Sequence, residues 1–168
     1  LACKRKLAYI PDNPDLYDYM TGIQYLNFIA NIFGVSAADR QARIRELAER
    51  FELTNDLAQP IAAYSHGMKQ KLAIISALLH EPKLILMDEP FSGSDLFNRE
   101  DFYRVMLGLL SDHETVILST HLLEEVKTFL SRAVLLRQGR LIGDISQQEM
   151  EELVAADDAL AALQIPRD

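Results

Sequence analysis

In "LILMDEPFSGSD", residues 84–95, an apolar run ends on two adjacent carboxylates, Asp88 and Glu89, and a third, Asp95, follows a small polar turn. Neighbouring residues at a strand end point opposite ways, so one carboxylate can reach a metal shell while the other takes a proton. Further on, "TVILSTH", 115–121, is a second apolar run that ends on Ser119, Thr120 and His121. Ligands of open parallel sheets bind beyond the carboxyl ends of strands, so these groups could share one rim. Such a set can hold Mg2+ and position a water against a phosphate. By itself, Asp88-Glu89-Pro90 could equally leave a strand and begin a turn; the second strand ending in polar residues favours chemistry.

A third stretch is "YSHGMKQKL", residues 64–72. Ser65 stands where a helix begins. Helix amino termini carry unpaired N–H groups and about half a positive charge, which attract phosphate. Gly67 lets a ligand come close to the backbone. Taken alone, Ser65 is better explained as a plain N-cap on a core helix.

The elements that must position these residues follow from apolar spacing. Strands are predicted at 6–10, 84–87, 115–119, 133–137 and 141–145. The two around "QGR" form a pair. "LILM" and "TVILS" read as buried strands of a parallel sheet, covered on both faces. Residues 11–18, with two prolines, form a loop. Helices are predicted over 22–33, with Gly34 as the stop, and after Ser36, with Ile44, Leu47, Ala48 and Phe51 on one stripe. A further helix runs from Ser65 to about Glu81, with Met68, Leu72, Ile75 and Leu79 on one face. Others cover 96–110, 122–130 and 147–155. The strand–helix alternation after residue 83 makes this an α/β protein with a parallel sheet, joined to a helical lobe.

Composition limits the function. With 25 acidic against 17 basic residues and a net charge of −8, the chain is not expected to bind nucleic acid, which calls for a basic face. The single cysteine, Cys3, allows no internal disulfide and fits a reducing compartment. The longest apolar run, residues 72–79, is far short of the roughly 18 residues a membrane span needs. A cytoplasmic location is therefore expected. The histidines at 66, 80, 113 and 121 lack metal-ligand spacing, and no G-x-S-x-G occurs, which argues against a zinc enzyme or a serine hydrolase.

Taken together, "YSHGMKQKL", "LLHEPKLILMDEPFSGSD" and "TVILSTH" strongly resemble the ATP-binding subunit of ABC transporters. Ser65-His66-Gly67-Met68-Lys69 resembles the signature motif, Leu84–Asp88 the Walker B strand, Ser92–Asp95 the D-loop, and "AYIPD" the strand leading to the Q-loop. The fold this implies is a partial P-loop NTPase core of ABC type plus an all-helical subdomain. Residues 1–12 would be a core strand and the start of the Q-loop, 13–81 the helical subdomain, 82–155 the later part of the ATPase core, and 156–168 an acidic tail.

The resemblance implies ATP and Mg2+ as cofactors and hydrolysis of ATP between two head-to-tail subunits. Glu89 would polarise the attacking water, and His121 would contact the γ-phosphate. Ser65, His66, Gly67 and Met68 would face ATP bound on the partner, Asp95 would couple the two sites, and Asp88 would help hold the metal. A membrane permease would dock on the helical lobe and the 12–20 loop, and the subunit would sit on the inner face of the cell membrane. "LYDYMTGIQYLNFIANIFG", residues 16–34, resembles cassettes of the ABC-2 exporter group. A non-transport ABC ATPase of translation or DNA repair, or a degenerate regulatory cassette, are the alternatives.

Three departures from the family pattern stand out. No Gly-Lys pair occurs, so G-x-x-x-x-G-K-[ST] is not among these residues. The stretch is thus expected to start inside a longer chain, to lack a central strand and to be inactive alone. Asp12 stands at the Q-loop glutamine position, where its shorter carboxylate can still face the metal. His66 stands where glycine is usual.

Overall fold

A computed structural model describes residues 3–90, 105–106, 108–109, 113–121 and 130–155. They form two compact units, one through Thr120 and one from His121. The expected helices at 96–110 and 122–130, the D-loop with Asp95, and the tail at 156–168 lie mostly or wholly outside the described residues.

The first unit begins with β1, Leu7–Ile10, and then three helices: α1 Gly22–Phe33, α2 Ala37–Arg50 and α3 His66–Leu78. The strands β2, Leu84–Asp88, and β3, Thr115–Ser119, follow. The three strands are parallel in the order β1-β2-β3, with Leu7 beside Leu84 and Asp88 beside Ser119.

Local chemistry explains the helix ends. Thr21 and Gln24 form a reciprocal capping box at the start of α1, and Gly34 closes it at φ 73°. The Ser36 side chain accepts from the Asp39 N–H, and that of Ser65 from the Met68 N–H. Each satisfies one of the donors a helix start leaves open. The α2 stripe is as expected, with Ile44, Leu47, Ala48 and Phe51 all buried. α3 ends at Leu78, earlier than expected, with Leu79 as its cap and Glu81 in the left-handed region at φ 51°. Pro82 cannot continue a helix.

One expectation is corrected. β3 is not a buried strand: Val116 is 38% and Ile117 55% exposed. The two side chains are adjacent and point to opposite faces of the sheet, so neither face is fully covered there. Among the described residues β3 pairs with β2 alone, so its second edge is open. β2 is central, with Ile85 and Met87 buried on one face, but Leu84 and Leu86 on the other face are only half-buried.

The helical lobe is closed by Tyr64, the residue before Ser65. Its hydroxyl donates to the Asp56 carbonyl at 2.7 Å. Burial, with the nearby Asp56 charge, pushes its pKa up to about 12. A raised pKa favours the neutral phenol in the folded state, so its contribution is whole below the unfolded value near pH 10 and is lost as pH climbs toward about 12. Thermal melts should fall across that window, and Tyr64→Phe should flatten the fall. An unchanged slope in Tyr64→Phe would assign it to other groups.

In the second unit, β4, Arg132–Arg137, and β5, Arg140–Ser146, pair antiparallel through a turn with Gln138 at φ 49° and Gly139 at φ 74°. Positive φ at both central residues is the turn that matches hairpin twist. Arg132 grips Asp144 through two hydrogen bonds, at 2.7 and 2.5 Å. That grip holds the Asp144 carboxyl below its usual range. α4, Gln147–Ala155, starts with Ser146 and Glu149 exchanging hydrogen bonds.

Candidate functional site

β2 and β3 run side by side and end at the same height, because Asp88 is in register with Ser119. Hydrogen bonds then lock the two ends. The Ser119 Oγ donates to Asp88 Oδ1 at 2.5 Å. The Glu89 N–H donates to the Ser119 carbonyl at 3.0 Å. The Thr120 Oγ1 donates to Glu89 Oε2 at 3.4 Å. The adjacent carboxylates are therefore fixed by adjacent hydroxyls of the neighbouring strand, one pair exposed and one part-buried.

Glu89 leaves the strand with φ at 40°, in the left-handed region. A side chain there costs about 1–2 kcal/mol relative to ordinary backbone. Strain of this kind persists where surrounding structure over-determines it, and it gathers at functional sites. Here the bond from its N–H to Ser119 holds it. The turn carries Glu89 out of the strand's alternation directly after the last sheet residue.

The Mg2+ expectation can be tested against this rim. Mg2+ is commonly held by one or two carboxylates, waters and substrate phosphates rather than by a full protein cage. Asp88 fits that role: it is exposed, and a carboxylate that accepts one hydroxyl proton keeps further lone pairs. Among the described residues no cluster of three or more His, Cys, Asp or Glu forms a cage.

The second group of candidates sits at the start of α3. Ser65 and His66 are exposed, and Gly67 and Met68 half-buried. Two contacts missed in the sequence reading tie this helix to the segment after β1. Gln70, 5% exposed, donates from Nε2 to the Pro11 carbonyl at 3.3 Å, beside Asp12. Lys69 pairs with Asp18 at 2.8 Å. Nothing in the spacing of α3 marks Gln70 as a buried polar residue, since the contact joins positions far apart in the chain. Asp12 itself is exposed at the end of β1. His121 is exposed and opens the second unit.

A family model described as ABC transporter matches residues 2–92, more than half of the chain. The chain belongs to the ABC transporter family. The cassette is 30% identical over 143 residues to the ABC transporter ATP-binding protein NatA of Bacillus subtilis, covering 85% of this chain and 58% of NatA. It is 32% identical over 139 residues to the linearmycin resistance ATP-binding protein LnrL of Bacillus subtilis, covering 83% and 45%. A solved ATP-binding subunit of an ABC transporter superposes with a TM-score of 0.83 at 30% identity, over 96% of this chain and 69% of that one. The cassette thus spans roughly half the length of the two Bacillus proteins. Its fold is that of a partial P-loop NTPase core of ABC type carrying a helical lobe. No described helix is long and apolar enough to cross a membrane.

Proposed function

We propose that this cassette is the ATP-hydrolysing subunit of an exporter, working as a dimer with a second ATP-binding subunit and powering a membrane permease from the inner face of the cell membrane. The observation that carries the reading is the double latch of Ser119 on Asp88 and Thr120 on Glu89, which holds two carboxylates at one strand-end rim. Asp88 is the metal-side group, and Asp12 a second carboxylate toward it. Mg2+, when bound, would neutralise phosphate charge. Glu89 takes the proton of the attacking water, with Thr120 orienting its carboxylate. His121, two residues beyond β3, contacts the γ-phosphate.

Ser65, His66, Gly67 and Met68 meet ATP held by the partner, and Asp95 couples the two sites. The naming of LnrL for linearmycin resistance supports the exporter direction.

Ser65→Asp separates this reading from a purely structural one. Aspartate is as good an N-cap as serine, so α3 keeps its start. Its charge, however, repels a phosphate. In the full-length protein, ATP binding by the single subunit should persist while ATP-driven dimerisation, read by gel filtration, is lost. A dimer that forms normally would remove Ser65 from the nucleotide interface.

A further inference from the structure

A cavity of about 180 Å³ opens between α2, the end of α3 and the start of β2. It stands at the other end of β2 from the carboxylate rim: Ile85 lines it, and Asp88 lies about 10 Å further along the strand.

Much of its wall is apolar and packed. Leu47, Pro82 and Ile85 are buried, and Leu78 and Leu109 half-buried. An apolar cavity of about 150 Å³ admits a benzene molecule, so this one has room for a single ring with a short arm. Walls that are already packed need little reordering when a ligand enters.

Charge selects the ligand. The charged side chains that line the cavity are Arg43, Glu46, Glu81 and Glu114. Arg43 is already engaged: it pairs with Glu81 at 2.9 Å and donates to the Leu79 carbonyl at 2.8 Å. Glu46 pairs with Arg50 at 3.0 Å and Glu114 with Lys83 at 3.1 Å, but neither of those cations lines the cavity. Both are exposed, and exposed pairs of this kind hold weakly. The Glu114 side chain, by contrast, is only 16% exposed. Carboxylate charge therefore faces the cavity while the balancing cations stand in solvent. An anion would be repelled there, and a neutral ring would leave the carboxylates unanswered.

We infer that this cavity binds a small organic cation, a primary amine carrying one ring-sized apolar group, with its ammonium toward Glu46 and Glu114 and its ring against Leu47, Leu78 and Ile85. Ammonium–carboxylate hydrogen bonds are of the strong, charge-assisted kind. The occupant touches α2 of the helical lobe and β2 of the sheet at once, and so ties the two together. The inference goes beyond the reading of this chain as an ATP-hydrolysing subunit and does not depend on it.

The test uses the full-length cassette and benzylamine, which is protonated at neutral pH, read by saturation-transfer NMR and by the melting temperature. Benzyl alcohol supplies the ring without the charge, methylamine the charge without the ring, and benzoate the opposite charge. Benzylamine should bind and raise the melting temperature. Benzyl alcohol and methylamine should bind roughly tenfold more weakly or less, and benzoate should not bind. Glu46→Gln combined with Glu114→Gln should weaken benzylamine binding roughly tenfold. Glu49→Gln, an exposed position of α2 outside the cavity, should leave it unchanged. If the double variant folds poorly, Glu46→Gln alone serves, since that side chain is 56% exposed and its loss should still weaken binding.

No binding of benzylamine, or equal binding by wild type and the Glu46 and Glu114 variants, would overturn the inference. Binding of benzoate as tight as that of benzylamine would overturn it as well. Methylamine binding as tightly as benzylamine would reduce the effect to the acidic surface of the chain and would equally overturn it.

Discussion

Glu89→Gln in the full-length cassette should bind ATP and accumulate as an ATP-bound dimer, while phosphate release falls by about 10²–10⁴-fold, the usual worth of a general base. The substitution is selective for structural reasons. Glutamine keeps the size of the side chain and an oxygen that can accept from Thr120 Oγ1. The backbone bond from residue 89 to the Ser119 carbonyl is untouched. What disappears is the ability to take a proton from water. Phosphate release and gel filtration on the same sample measure both halves of the expectation. Turnover equal to wild type would mean that Glu89 is a strand-end residue with no part in hydrolysis.

Gly22→Ala should destabilise the helical lobe by about 1–3 kcal/mol, the cost of forcing a methyl into a packed site. A Cβ on Gly22 would run into the Tyr64 hydroxyl and would stand 3.2 Å from its ring carbon and 3.3 Å from the Leu57 backbone. The backbone at Leu57 cannot yield easily, because its carbonyl accepts from the Ile23 N–H at 2.8 Å. Tyr64 must therefore move, and it immediately precedes Ser65. Denaturant unfolding should show the loss. Gly22→Ala combined with Tyr64→Phe, which removes the clashing oxygen, should recover part of it. A single variant as stable as wild type would show that the Tyr64 ring shifts at no cost and is not a fixed support for α3.

Much of this was legible in the chain because it is local. Ser36 and Ser65 start helices and Gly34 ends one, since capping acts within one turn. The α2 stripe of Ile44, Leu47, Ala48 and Phe51 predicted its buried face, since helical period and burial coincide. The chemistry-bearing stretches also stood out, because Asp88 and Glu89 interrupt an apolar run.

What the residues could not announce was everything that depends on a neighbour distant in the chain. "TVILS" is as apolar as a buried strand, yet Val116 and Ile117 are exposed, because burial is decided by what covers the two faces of a strand and not by the strand itself. The buried Gln70 answers to the Pro11 carbonyl 59 positions away.

Sequence alone determined which groups this protein carries, in what order, and where α1, α2 and α3 begin, since those follow from side-chain type and spacing within a turn. Only the tertiary structure decided that Asp88 and Glu89 are latched by Ser119 and Thr120, and that Glu89 takes a left-handed backbone to get there. The physical reason is that the latch joins residues 31 positions apart on neighbouring strands, a meeting that no local period encodes.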